Sequence, residues 1–378
     1  MKTSFRKASL TIHLWLGMLS GIIVLVVCLT GAMYVFKEEI TDFLEPWRFV
    51  EPQNTERILP SRVIDIANGE TEKTTPTAVT YGESFDAVSV DYYVRSEGMT
   101  TVYLNPYNGH VQKTTVTGKD DFSFFGFILK GHRSLWLPTA IGRPIVGWAT
   151  VIFVITLITG MVLWIPKRWN KKTLKQNLTI RYKKSFFQFN RMLHNTLGGY
   201  ALIGLLILSL TGLIWSFKWF NHSVYYLTSG GKELIPYTLH KSEIKQKDNQ
   251  YDLLDTLHIS LLKQEPQAKT FYYALPSSDD GVFRVSVVHE RGSYYKTDNL
   301  FFDRYTLQPL EGSGPYAGKY TEATKADKLR RMNLEIHSGR IWGLTGKIIA
   351  CLLSLVGASL PVTGFIIWYK KRYPRRKR

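Results

Sequence analysis

The sequence predicts a membrane protein with a four-helix transmembrane bundle, formed by tandem duplication and carrying two small α+β extracytoplasmic domains. Three observations predict this fold class. Four apolar stretches are long enough to cross a bilayer, basic residues concentrate beside their ends, and the first half of the chain recurs in the second. A helix of about 20 residues spans the hydrocarbon core at roughly 1.5 Å per residue.

The segment boundaries follow from the four apolar stretches. In chain order, the predicted segments are a transmembrane helix at 1–36, an extracytoplasmic domain at 37–125, a histidine segment with the second transmembrane helix at 126–166, a cytoplasmic loop at 167–190, a third transmembrane helix at 191–219, a second extracytoplasmic domain at 220–325, and a histidine segment, fourth transmembrane helix and basic cytoplasmic tail at 326–378.

Both extracytoplasmic domains combine one helical pattern with alternating, strand-like segments. Apolar residues have helical spacing at 61–70 and 251–262. Apolar and polar residues alternate at 87–94, 100–111, 281–290 and 299–310. These two periods predict, for each domain, a helix packed on an antiparallel sheet.

The basic residues predict the orientation of the chain in the membrane. The formal charge is +18, and residues 1–8, 166–191 and 370–378 hold three, nine and seven Lys or Arg with no Asp or Glu. The positive-inside rule therefore places both termini and the 166–191 loop in the cytoplasm, with the first helix kept as an anchor. Contact with anionic membrane lipid accounts for the charge, and no nucleic-acid partner is expected.

The repeat has a fixed register. His13, Gly17, Thr30 and Gly31 recur 181 residues later as His194, Gly198, Thr211 and Gly212. Gly142, Thr159, Gly160 and Trp164 recur 204 residues later as Gly346, Thr363, Gly364 and Trp368. His132 and His337 are 205 residues apart, so one residue is unmatched between these histidines and their helices.

Four histidines sort into two layers under this topology. His13 and His194 lie at the cytoplasmic ends of their helices, and His132 and His337 precede their helices on the outer side. A two-fold axis along the membrane normal would make His13 face His194, and His132 face His337. Two opposed neutral imidazoles in an apolar bundle are the axial ligands that a b-type haem needs. The sequence therefore predicts two b haems per chain, with interfacial histidines as the alternative interpretation.

Other residues near these layers have two interpretations each. Arg133 and Arg340 would pair with haem propionates, as would Arg143 and Lys347, or else all four anchor the chain at the interface. The repeated glycines and Thr-Gly pairs would admit a flat porphyrin or, more commonly, allow close helix packing. His222 has no repeat partner and is either interfacial or an alternative ligand.

The His13-Leu-Trp-Leu-Gly17 start, the block from His132 to Trp164 and the Tyr103–Gly109 turn resemble PepSY-associated transmembrane proteins. The resemblance covers nearly the whole chain. It implies PepSY-like extracytoplasmic domains, a bacterial inner-membrane location, and similarity to ferric-siderophore reductases that carry two b haems. It also implies that His13, His194, His132 and His337 are the haem ligands.

The leading functional expectation is a ferric-siderophore reductase. Nucleotide-binding motifs are missing and the cytoplasmic loop is too short for a flavin domain, so a separate donor (a quinol, a flavin or a reductase) would supply electrons. Two alternatives remain open. The chain could be a non-catalytic scaffold whose outer domains bind or inhibit an envelope protein, or a haem conduit to another periplasmic acceptor.

Overall fold

The computed structural model describes residues 3–166, 170–181, 184–238, 240–244 and 250–374. Part of the predicted basic cytoplasmic segments, at 1–2, 167–169, 182–183 and 375–378, lies outside these described residues. The chain forms two compact units. The first, here the helical unit, contains residues 1–38, 122–224 and 333–378, and the second, the sheet unit, contains residues 39–121 and 225–332.

The helices within the described residues are, in chain order, α1 (Thr3–Tyr34), α2 (Lys37–Leu44), α3 (Pro60–Gly69), α4 (Phe124–Ser134), α5 (Thr139–Trp164), α6 (Lys171–Leu178), α7 (Phe186–Ser216), α8 (Lys218–Thr228), α9 (Gln250–Gln264), α10 (Lys325–Ser338) and α11 (Gly343–Arg372). The strands are β1 (Ala78–Tyr81), β2 (Val88–Val94), β3 (Gly98–Leu104), β4 (Val111–Gly118), β5 (Thr270–Ala274), β6 (Val282–Val288), β7 (Thr297–Asp303) and β8 (Pro309–Leu310).

Four helices are long and apolar enough to cross a membrane, as the sequence predicts. The candidate spans are Ser4–Tyr34, Thr139–Trp164, Phe186–Ser216 and Arg340–Arg372. The third helix begins well before its apolar stretch, because Ser185 caps it by accepting a hydrogen bond from the Gln188 backbone N–H. His194 therefore lies more than two turns inside α7, rather than near its first residue.

The four spans form a ring in which α1 contacts α5 and α11, and α7 contacts the same two helices. Helices α1 and α7 are therefore diagonal partners. The centre of the ring is a closely packed apolar cluster that includes Val24, Phe153, Leu157, Ala201 and Leu205. These residues lie about midway along their helices, so apolar side chains fill the middle of the bundle.

The sheet unit contains one antiparallel sheet of eight strands in the order β4-β3-β2-β1-β5-β6-β7-β8. The sequence predicts two separate α+β domains, whereas β1 pairs with β5 and joins both sets of strands. These two short strands lie almost 200 residues apart, which is why the sequence did not reveal their pairing.

Helices α3 and α9 bury their apolar faces in the core of this sheet unit. Val63 and Ile64 from α3 and Leu254 and Leu261 from α9 are almost completely buried there. Asp255 of α9 also accepts hydrogen bonds from the Ser61 backbone N–H and hydroxyl, at 2.8 and 2.5 Å. A carboxylate at a helix N-terminus satisfies free N–H groups, so α9 caps α3 as well as packing beside it.

Candidate functional site

Two pairs of histidines face each other inside the helical unit. The ring centroids of His13 and His194 are 6.2 Å apart, and those of His132 and His337 are 6.1 Å apart. We call these the first and the second histidine pair. Along α1, the pairs are separated by about 20 Å, because the first pair contains His13 and the second contacts Val27, 14 residues later at roughly 1.5 Å per residue.

Three of the four imidazoles are held through Nδ1 by a backbone carbonyl of a neighbouring span. His13 bonds Thr156 at 3.0 Å, His132 bonds Val27 at 2.8 Å, and His337 bonds Leu208 at 3.0 Å. Nδ1 of His194 instead lies 2.9 Å from the Thr363 hydroxyl, which donates to its own helix. A carbonyl only accepts hydrogen bonds and the Thr363 proton is already given away, so Nδ1 carries the proton in all four rings. The lone pair of each ring therefore lies on Nε2, the arrangement usual for a histidine that ligates a metal.

A glycine lies beside each imidazole. The four glycines of the Thr-Gly pairs are the closest to the rings: a Cβ atom on Gly31 would lie 3.1 Å from Cε1 of His132, and one on Gly160 would lie 3.1 Å from Cε1 of His13. For Gly212 with His337 and Gly364 with His194 the distance is 3.3 Å. Any larger residue would press against the ring, so these glycines make room for the histidines.

Different turns orient the two histidines of the second pair. After His132, Leu135 and Trp136 both adopt a left-handed conformation, with φ of 54° and 60°. After His337, Gly339 takes this conformation instead, with φ of 75°, and a short 3-10 helix (Arg340–Trp342) follows. The first repeat has one residue more than the second between its histidine and its helix, and the two different turns absorb this difference, so the second pair is as close as the first.

Burial keeps the second pair neutral. It lowers the pKa of His132, to which the nearby Arg133 charge also contributes. Burial and the neighbouring His132 lower the pKa of His337 to about 4. Both rings are therefore uncharged near neutral pH, which leaves their Nε2 lone pairs available to a metal.

The spacing of both pairs fits two imidazoles that share one metal ion. Metal–nitrogen bonds of roughly 2.0 Å, with about 1.1 Å from each nitrogen to its ring centre, give about 6.3 Å between centroids. The observed separations of 6.2 and 6.1 Å agree with this value. The donor set, two neutral imidazoles with oriented Nδ1–H groups, also suits haem iron.

The predicted propionate partners have different environments. Arg133 is exposed and makes no hydrogen bond to the described residues. Arg340 instead bonds Glu38 at 2.7 Å and lies 3.8 Å from Glu335, while Lys347 bonds the other Glu38 oxygen at 3.1 Å. Arg143 donates to the Trp215 carbonyl at 3.2 Å. Glu38 thus holds two of the four predicted cations.

Sequence reasoning missed the role of the Thr-Gly pairs and of Glu38. Thr-Gly occurs six times in the chain, and four of these occurrences, which begin at Thr30, Thr159, Thr211 and Thr363, recur at equivalent positions of the repeat. That recurrence, one for every repeated histidine, was the available signal. Gly199, in contrast, faces the Trp164 indole, and Gly21 faces Pro361. Those two glycines serve helix packing. Glu38 gave no signal, because its repeat equivalent is Trp219.

The remaining histidines form no comparable pair among the described residues. His222 is exposed in α8, and His258 is buried, with its Nδ1 2.6 Å from the Tyr273 hydroxyl. In the sheet unit, Glu265, His289 and Asp298 have ligand atoms within 4.8 Å of one another. Lys319, 2.7 Å from Glu265, already supplies a cation to this cluster, and His289 bonds Asp298.

Comparison with known proteins adds one finding to this geometry. A search among curated proteins found no match. The family model described as the PepSY-associated TM region matches residues 10–371. That range includes all four repeated histidines and both units. Because the match covers nearly the whole chain, the protein belongs to the family of the PepSY-associated TM region.

Proposed function

We propose that the protein is a haem-containing reductase of the bacterial inner membrane that passes electrons across the bilayer to Fe(III) in a siderophore. Two histidine pairs carry this proposal: each has its ring centroids just over 6 Å apart, and each Nδ1 atom is bound to a carbonyl or, for His194, to the Thr363 hydroxyl. An isolated interfacial histidine needs neither feature.

The chain's own residues would hold one b haem at each pair. His13 and His194 would ligate the first, and His132 and His337 the second. A haem held by two histidines would supply one-electron transfer. The carbonyls of Val27, Thr156 and Leu208 fix the tautomer and the direction of three rings, and the Thr363 hydroxyl does so for His194.

The packed middle of the bundle supports transfer between the pairs. Val24, Phe153 and Leu205 are buried there, so the region between the pairs excludes water. A dry apolar layer keeps protons and ions from following the electrons. The separation of about 20 Å also matches two cofactor sites placed one in each leaflet of a hydrocarbon core of about 30 Å.

The substrate is proposed from the family resemblance together with the one-electron chemistry. Each ferric chelate gains one electron and becomes a ferrous chelate, in which oxygen ligands hold the less charged ion more weakly. A separate donor (a quinol, a flavin or a reductase) supplies the electrons. A quinol would give two electrons and two protons and would serve two chelates.

The topology belongs to the same proposal. The basic segments would place both termini in the cytoplasm and the sheet unit outside. The sheet unit would correspond to two PepSY-like domains derived by duplication, each contributing a helix and four strands. Membrane lipid would contact the exposed apolar faces of the four spans.

The test is an absorption spectrum of detergent-purified protein from cells supplied with haem, recorded oxidised and after dithionite, with haem counted per chain. Sharp reduced bands of six-coordinate b haem at two per chain are expected, with reoxidation on adding a ferric siderophore. A colourless protein would reject the haem function and favour the scaffold alternative. Two haems that a ferric chelate does not reoxidise would favour another acceptor.

A further inference from the structure

The Thr-Gly pairs carry a contact that the proposed function does not yet explain. Each threonine hydroxyl lies 2.7 to 2.9 Å from the carbonyl four residues before it and 3.0 to 3.1 Å from the carbonyl three residues before it. The carbonyls three residues before Thr30, Thr159 and Thr211 are those that hold His132, His13 and His337. Each threonine hydroxyl therefore gives its proton to its own helix, next to the site of a histidine.

Three of the four threonines also approach the imidazole itself. Thr363 Oγ1 lies 2.9 Å from Nδ1 of His194, and Thr211 Oγ1 lies 2.9 Å from Nδ1 of His337. Thr159 Oγ1 is farther from Nδ1 of His13, at 3.3 Å. Thr30 hydrogen-bonds only its own helix among the residues that the structure describes. The distance from threonine Oγ1 to histidine Nδ1 therefore differs among four positions that are equivalent in the repeat.

The direction of these contacts follows from the donors. Each threonine hydroxyl proton is already given to a carbonyl, so its oxygen presents a lone pair to the ring. The Nδ1–H is then shared between the carbonyl and the hydroxyl. A second acceptor on Nδ1–H draws the proton away from the ring and leaves more electron density on Nε2, the atom that would ligate a metal.

We infer that Thr363, Thr211 and, more weakly, Thr159 are positioning residues that lower the reduction potential of the haem iron held by their histidines, whereas Thr30 is not. This inference rests on the proposed function, since it concerns the same histidine pairs. More electron density on the ligand favours the more highly charged Fe(III) over Fe(II). Removal of the hydroxyl should therefore raise the potential.

The experiment compares Thr211→Val with Thr30→Val by spectroelectrochemical titration of the purified full-length protein. Both variants act on the second histidine pair, and both remove a hydroxyl that donates to the backbone of its own helix. They differ in the contact between Oγ1 and Nδ1. In a His13→Ala background, which is expected to keep only the second haem, the measured potential belongs to that haem alone. The chain with all four histidines gives the same comparison when its titration is fitted with two components.

Thr211→Val should favour the reduced state about three- to tenfold, up to about 59 mV for a one-electron couple, and Thr30→Val should leave the potential unchanged. On the first pair, Thr363→Val should raise the reduction potential more than Thr159→Val does. Thr211→Ser, which keeps a hydroxyl, should leave the potential of the parent protein unchanged. Equal shifts for Thr211→Val and Thr30→Val, or none in either, would overturn the inference while two bound haems uphold the proposed function. A colourless parent protein would overturn both.

Discussion

The two halves of the chain present the second histidine pair on the same backbone contacts but surround it with different side chains. In the first half, α4 carries exposed aromatic residues, and Phe127 stacks on Trp136 with 5.1 Å between ring centroids. In the second half, α10 and the turn after it are charged, with Glu335 completely buried and Arg340 bound to Glu38. His132 and His337 nevertheless bond a carbonyl in the same way.

Comparison of the two halves shows which features accompany both histidines of the pair and which accompany only one. The features common to both halves are a histidine, a carbonyl three residues before a threonine, and a glycine four residues after that carbonyl. The aromatic and charged surroundings are not shared, so they cannot be needed to orient the rings. They instead give the two halves different surroundings, exposed aromatic side chains in one and a largely buried ionic cluster in the other.

The largest effect is expected from removal of a histidine. His13→Ala or His194→Ala should reduce haem from two to one per chain by loss of the first site, because one imidazole alone cannot fill both axial positions. His132→Ala or His337→Ala should remove the second site instead. Haem quantified against protein, together with reduced spectra, measures the loss.

His222→Ala is the matched control, because His222 is exposed and lies outside both pairs. It should keep two haems with unchanged spectra. If a substitution in the first half and its equivalent in the second removed different haems, the pairing across the two halves would be wrong.

The next largest effect is expected on stability, from the ion pairs that Arg340 and Lys347 of the second half make with Glu38. Glu38→Gln should lower the free energy of unfolding by about 2 kcal/mol, because it leaves the buried Lys347 and the half-buried Arg340 without the charge between them. Arg143→Met, at the position equivalent to Lys347, should cost only about 1 kcal/mol, since Arg143 donates to a neutral carbonyl.

Thermal unfolding of both variants in the same detergent measures this difference. A double-mutant cycle between Glu38 and Lys347 isolates their coupling from other effects. Equal losses for Glu38→Gln and Arg143→Met would show that the ionic surroundings of the second half add no stability.

The sheet unit provides a third contrast, between α3 and α9. Helix α3 buries Val63, Ile64 and Ala67, none of which titrates, whereas α9 buries His258. Burial, followed by the Arg57 charge, lowers the pKa of His258 to about 4. Between about pH 6.5 and pH 4, His258 is therefore protonated in the unfolded chain and neutral in the folded chain.

The stability contributed by neutral His258 is complete above pH 6.5 and is lost as the pH falls toward 4, by roughly 3 kcal/mol in total. Hydrogen exchange of the sheet-unit amides at pH 7 and pH 5, corrected for intrinsic rates, measures the change. His258→Asn keeps a polar partner for Tyr273 but does not titrate, so its pH dependence should be shallower. Identical slopes would place the titration in other residues.

The sequence predicted the four spans and the histidine register because both depend on local periodicity and on the repeat itself. The matched family confirms the predicted resemblance to PepSY-associated transmembrane proteins. The shared sheet could not be predicted, because the pairing of β1 with β5 joins segments almost 200 residues apart and depends on backbone groups rather than on a side-chain pattern. The same holds for Glu38, whose partners Arg340 and Lys347 are some 300 residues away.

The smallest effect tests how closely the two halves fit their histidines. A Cβ atom on Gly31 would lie 3.1 Å from His132 Cε1 and 3.2 Å from its Nδ1, whereas one on Gly212 would lie 3.3 and 3.9 Å from the same atoms of His337. Alanine in a helix gains about 1 kcal/mol over glycine, and crowding costs about 1–3 kcal/mol.

Gly31→Ala should therefore be neutral or destabilising by about 1 kcal/mol, and Gly212→Ala neutral or stabilising by a similar amount. Thermal unfolding and the rate of haem loss should rank the two variants in that order. If Gly212→Ala proved the more harmful, the second half would hold its histidine more tightly than the first. The additional ionic contacts of that half would then be the first place to look for the cause.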